Sequence, residues 1–140
     1  MSEPIKILLV DDDPDDVFVI ERALSDSPLQ VAITHAGNGR DGLNRLNAEP
    51  DGFDLVLLDI NMPVMDGLTM LGQVRADDRF SELPIVVLTT SREKDVLDEA
   101  LRLGANAAAS KASSFEAMRD IVQSIVDLWS GTLWRASPNS

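Results

Sequence analysis

Short, nearly continuous apolar runs mark the chain at Ile5–Val10, broken only by Lys6, and at residues 31–33, Leu55–Leu58 and 85–88. Their length and their Val, Ile and Leu content predict strands covered on both faces. A fifth run, residues 107–109, is alanine alone and reads as strand only through its place in the series. Between the runs the pattern turns helical. Val17, Ile20 and Leu24 recur on one face, Leu68, Leu71 and Val74 on another, and residues 96–103 end at Gly104, a C-terminal stop. Asp13-Pro14 predicts a cap followed by proline at the first helical position, and Ser113-x-x-Glu116 predicts a capping box that opens the last helix. Strand starts near positions 5, 31, 55, 85 and 107 leave room for one helix in every interval. The alternation predicts an α/β fold, a doubly wound five-stranded parallel sheet with helices on both faces.

Composition narrows the function classes. A length of 140 residues fits one domain. Residues 1–130 are expected to form it, with residues 131–140 as a C-terminal tail. Twelve Lys plus Arg against 24 Asp plus Glu leave a net charge of -12, a surface that repels nucleic-acid phosphates and anionic lipid. The absence of cysteine excludes disulfides, thiolate metal sites and cysteine nucleophiles. The single histidine, His35, excludes a multi-histidine metal centre and reads as a surface residue at the end of the second strand. No segment approaches the run of about 18 apolar residues that a membrane span needs. Met1-Ser2-Glu3-Pro4 has neither the basic start nor the apolar core of a secretory signal, so a cytoplasmic location is expected.

The polar residues carry more information than the apolar frame. In an open parallel sheet, ligands bind beyond the carboxyl ends of the strands. Asp11 and Asp12 directly follow the first run, Asp59 the third and Thr89 the fourth, and Lys111 stands two places past the fifth. Crowded carboxylates repel, which raises at least one pKa unless a cation neutralises them. Oxygen-only ligands with open positions suit Mg2+, and a carboxylate is also a nucleophile toward phosphorus. Phosphoryl transfer needs positioning and charge neutralisation, which Mg2+, the Lys111 ammonium and the Thr89 hydroxyl would supply. The site reads as one that places a phosphoryl group on a carboxylate.

The segments Leu8-Leu9-Val10-Asp11-Asp12-Asp13, Leu58-Asp59-Ile60-Asn61-Met62-Pro63, Met65-Asp66-Gly67 and Leu88-Thr89-Thr90-Ser91, together with Lys111, resemble the receiver domain of two-component response regulators across about residues 5–128. The resemblance implies the flavodoxin-like strand order 2-1-3-4-5. It implies that Asp59 accepts a phosphoryl group from a sensor histidine kinase. Asp12, Asp59 and the Asn61 backbone carbonyl would hold Mg2+, with Asp11 acting through a metal-bound water. Lys111 and Thr89 would engage phosphoryl oxygens, and the side chains of Asn61 and Ser91 would set the lifetime of the phosphorylated state. The chain would be no enzyme in the ordinary sense, but a phosphoacceptor that catalyses its own phosphorylation and dephosphorylation. Output would be a shift between two conformations.

Two positions depart from the family pattern. Ala112 stands where a proline usually follows the lysine, leaving the Lys111–Ala112 peptide open to either isomer, and Ala108 stands where an aromatic commonly moves with the threonine. Rival readings are weaker. Asp11-x-Asp13-x-Asp15 starts like a calcium loop, but Asp16 replaces the required glycine and Arg22 the closing glutamate. Asp13-x-Asp15 resembles the nucleophile motif of haloacid-dehalogenase-like phosphatases, with Asp13 as nucleophile, yet it lies three residues past the strand. A phosphorylation-independent interaction module is the third alternative. Asp13, Asp15 and Asp16 otherwise read as acids favoured at a helix N-terminus. The last helix is apolar over more than one stripe, so Val122, Val126, Trp129, Leu133 and Trp134 are dimer-interface candidates. Its ending, Ile125-Val126-Asp127-Leu128-Trp129, resembles single-domain regulators that pair with phytochrome-type kinases, some of which dimerise through C-terminal arms. The expected partners are therefore a sensor histidine kinase, of phytochrome type, and a second copy of the chain. Output is expected through such partners, since no second domain follows by position 140.

Overall fold

A computed structural model describes the backbone of residues 4–136 and the side chains of residues 4–129. The elements run β1 (Ile5–Val10), α1 (Pro14–Ser25), β2 (Val31–Ala36), α2 (Gly39–Ala48), β3 (Leu55–Leu58), α3 (Gly67–Arg75), a 3-10 turn (Asp78–Phe80), β4 (Ile85–Thr89), α4 (Lys94–Arg102), β5 (Ala107–Ser110) and α5 (Phe115–Ala136). All strand pairs are parallel, in the order β2-β1-β3-β4-β5. The three central strands are buried on both sides from Ile7 onward in β1 and throughout β3 and β4, which is why they read as apolar runs broken only at the exposed Lys6.

Period-two alternation sorts their side chains into two cores. Leu8, Val10, Val56, Leu58, Ile85 and Val87 point to one face, where Leu46 of α2, Met70, Leu71 and Val74 of α3 and Ala100 of α4 cover them. Ile7, Leu9, Leu55, Leu57, Val86 and Leu88 point to the other, where Val17, Ile20 and Leu24 of α1 meet Met118, Val122 and Val126 of α5. Each such side chain contributes about 1.5–3 kcal/mol by leaving water, so this double layer carries most of the driving force.

The helix ends follow local chemistry. Asp13 caps α1 by accepting from the Asp15 N–H at 2.9 Å, with Pro14 at the first helical position. The last turn of α4 closes on Gly104, whose φ of 111° only glycine adopts readily, and its N–H and that of Ala105 bond back to Leu101 and Ala100. The cap of α5 differs from expectation by one residue. The Ser114 hydroxyl, not that of Ser113, accepts the Ala117 N–H at 3.1 Å, and the helix begins at Phe115. Helix α5 also runs on through Gly131 to Ala136, so position 130/131 is not an element boundary. Away from the strand carboxyl ends, Arg75 bonds the carbonyls of Gly104 and Phe80 at 2.9 and 2.7 Å and Asn106 Oδ1 at 2.9 Å, pinning the irregular segments there.

Candidate functional site

The parallel sheet delivers its polar residues to one edge because each stands at, or just past, the carboxyl end of a strand. Asp11 leaves β1 with its N–H still bonded to the Ala36 carbonyl, and Asp59 leaves β3 bonded likewise to Val10. Asp11, Asp59, Thr89 and Lys111 are buried, whereas Asp12 is exposed. Oxygens of Asp11, Asp12 and Asp59 lie within 4.8 Å of one another. Lys111, anchored by its N–H to the Thr89 carbonyl at 2.7 Å, sends its ammonium back into this cluster. The Nζ donates to Asp11 Oδ2 at 2.8 Å and to Asp16 Oδ2 at 2.7 Å, and stands 3.6 Å from Asp59 Oδ2.

Burial pushes the Asp59 carboxyl up to about 6; the Lys111 charge opposes this, while Asp11 and Asp12 add to it. Burial also raises Asp11, although bonds from Lys111 and the Asp13 N–H hold it back. For Lys111, burial favours the neutral form, but the bonds to Asp11 and Asp16 outweigh it and keep the ammonium above its ordinary value. The cluster thus has more carboxylate than one ammonium balances. An all-oxygen donor set with one exposed member fits Mg2+, a hard cation that retains waters. The fit rests on the donor chemistry, and these residues would hold the ion.

The loops beside the cluster are built from side-chain and backbone bonds. Thr89 Oγ1 accepts the Ser91 N–H at 3.3 Å, and the Ser110 hydroxyl donates to the Ser91 carbonyl at 2.8 Å, which ties the loop after β4 to β5. Asn61 is exposed two places past Asp59. The His35 ring is exposed as expected, and its Nε2 lies 2.8 Å from the Asp11 carbonyl, so that nitrogen carries the proton.

Residues 7–123 match the family model of the response regulator receiver domain. The chain belongs to the response regulator receiver family. Among relatives of this receiver, the probable methanogenesis regulatory protein FilR2 of Methanothrix harundinacea is 33% identical over 141 residues, covering 98% of this chain and 90% of FilR2. The structure of the phosphorylated cyanobacterial phytochrome response regulator RcpA superposes with a TM-score of 0.86 at 29% identity, covering 93% of this chain and 96% of RcpA. The Mn2+-bound response regulator Rcp1 gives a TM-score of 0.81 at 27% identity, covering 90% of this chain and 94% of Rcp1. The receiver fold, with strand order 2-1-3-4-5, and its place in two-component signalling follow.

Several expectations change in the folded receiver. Asp13 is an exposed helix cap outside the carboxylate cluster, so it is not placed as a nucleophile. Val122 and Val126 are 0% and 1% exposed in the core beneath α5, which withdraws them as interface candidates: the sheet already covers that stripe. Trp129 packs half-buried against the same core. The side chains of Leu133 and Trp134 lie outside the described residues. No peptide among the described residues is cis, so Lys111–Ala112 is trans. The residue that the sequence reading missed is Asp16. Its signal was its place one helical turn before Ile20, on the face that α1 turns inward.

Proposed function

We propose that the receiver accepts a phosphoryl group on Asp59 from a phosphohistidine of a sensor kinase, using Mg2+ held by Asp12, Asp59 and the Asn61 carbonyl, with Asp11 acting through water. The observation that carries this reading is the buried Asp59 carboxylate set between two other carboxylates and the Lys111 ammonium, 3.6 Å from it. In the transfer, an Asp59 oxygen lone pair attacks phosphorus as the donor's N–P bond breaks, and that electron pair stays on the histidine nitrogen. The product is an acyl phosphate. In the return step, water attacks phosphorus, the O–P bond breaks with its electron pair returning to the carboxylate, and the water proton leaves with inorganic phosphate or to solvent. When bound, Mg2+ neutralises charge on the oxygens around phosphorus.

The chain's own groups divide the rest. Asp59 Oδ1 accepts the Ile60 N–H at 2.9 Å, which fixes the carboxylate plane, while Oδ2 faces Lys111. Lys111 holds a positive charge where phosphoryl oxygens would gather. Thr89 supplies a hydroxyl whose oxygen accepts the Ser91 N–H at 3.3 Å, which leaves its own proton to donate to a phosphoryl oxygen. Asn61 and Ser91 stand where their side chains would govern water approach. Together they make the chain a catalyst of its own phosphorylation and hydrolysis. Full-length receiver mixed with a phosphorylated kinase is expected to gain acid-labile phosphate with Mg2+ present and to lose that uptake on chelation with EDTA. Uptake undiminished by chelation would contradict the assignment.

The likeness to RcpA supports a phytochrome-type kinase as donor, and hence a cytoplasmic setting for the exchange. The end of α5 supports a second copy as partner: Leu128 is 64% exposed and Trp129 stands beside it, with Leu133 and Trp134 next along the helix. Sedimentation should give a dimer for the full chain and a monomer for a chain ending at Val126. Equal monomeric masses would remove the dimer.

A further inference from the structure

We propose that Asp16 is a positioning residue that restrains Lys111 and competes with the phosphoryl group for it. This deepens the reading of Asp59 as phosphoacceptor and rests on it.

The ammonium of Lys111 has three protons to donate. Two are committed, to Asp11 Oδ2 at 2.8 Å and Asp16 Oδ2 at 2.7 Å, and Asp59 Oδ2 at 3.6 Å lies beyond hydrogen-bond reach. Asp16 thus holds the lysine more closely than the acceptor does. Its origin on α1 is separate from every strand end that builds the carboxylate cluster. Asp15, its neighbour in the same acidic turn, makes no ion pair with Lys111.

The two partners of Lys111 are not equally easy to leave. The Asp11 side chain is 2% exposed, so in the resting site a bond lost there leaves a buried charge without its partner. The Asp16 side chain is 30% exposed, and water can solvate it once the lysine departs. When negative oxygens arrive at Asp59, the bond to Asp16 is the one that breaks. Asp16 therefore sets how strongly the resting site resists engagement of Lys111 with the phosphoryl group.

Beryllofluoride with Mg2+ mimics a phosphoryl group on a carboxylate, and its binding to the full chain can be titrated by fluorine NMR. Asp16→Asn is expected to bind it about three- to fivefold more tightly than the wild type, the size of a part-exposed ion pair. Asp15→Asn removes the same charge one residue away and should stay close to wild type. Asp16→Glu, which can still reach the lysine, should return binding toward the wild-type value. Equal tightening by Asp16→Asn and Asp15→Asn would overturn the inference, because it would then be a general charge effect. Failure of the wild type itself to bind would overturn the acceptor assignment as well.

Discussion

Asp59→Asn is expected to abolish uptake of acid-labile phosphate from a sensor kinase and, in the same protein without divalent ions, to raise stability. Both effects come from one carboxylate. Asparagine lacks the anionic oxygen that attacks phosphorus, so no acyl phosphate forms. The stability effect follows from the raised carboxyl, about 6 in the fold against 3.8 in its ordinary setting. Between pH of about 4 and 6 the folded chain keeps a proton that the unfolded chain has released. Stability from this group is therefore fully present below pH 4 and is lost as pH rises through 6. At neutral pH the shift corresponds to about 3 kcal/mol, which the neutral amide restores. Thermal unfolding of metal-free protein at a pH of about 7.5 should show Asp59→Asn melting roughly 5–10 °C higher. The gap should narrow at pH 4 and on adding Mg2+, whose charge compensates the buried carboxylate. A variant less stable than wild type at pH 7.5 would show that the carboxylate is not strained there.

Gly67→Ala is expected to cost about 3 kcal/mol or more and to remove phosphoryl uptake with it. Gly67 opens α3, and its N–H bonds the Ile60 carbonyl at 2.8 Å. A Cβ there would overlap the Asp59 carbonyl oxygen and lie 2.9 Å from Ile60 Cα. Both obstacles are backbone, so no side-chain rotation relieves them. Either α3 moves off or the chain at Asp59 does, and the second displaces the acceptor from Lys111. Denaturant titration should show the loss of stability, and kinase transfer the loss of uptake. Wild-type behaviour in both would mean that the close approach of α3 to Asp59 does not hold the site. The same loop carries a second local cost: Val64, exposed and β-branched, has a φ of 68°, a left-handed conformation that strains such a residue.

Legibility in the sequence tracked burial. Strands β1, β3 and β4 were readable because parallel central strands need apolar residues at every position. Strand β5, Ala107–Ser110, has no such signature, being half-buried throughout and held by its register with β4. Helix α2 was readable only as a gap. Gly39 and Gly42 weaken its intrinsic preference, and they are present because a Cβ would come within 2.7 Å of the Met65 carbonyl and 2.8 Å of Met70. At the site, residues directly past strand ends could be placed by topology alone. Asp16 could not, because its partner lies 95 residues away and a charge at a helix start has a sufficient local reason to be there. The broad apolar character of α5 was visible, but which stripe faced the sheet was not. Val122 and Val126 took that role, leaving Leu128 outside.

The most direct measurement is chemical mapping of the phosphorylated residue. Receiver phosphorylated with Mg2+ present is treated with borohydride, which reduces an acyl phosphate to the alcohol, and peptides are then sequenced by mass spectrometry. The account predicts reduction at position 59 alone, giving homoserine there in phosphorylated chains and aspartate in untreated ones. Homoserine at Asp13 or another acid, with Asp59 intact, would contradict it.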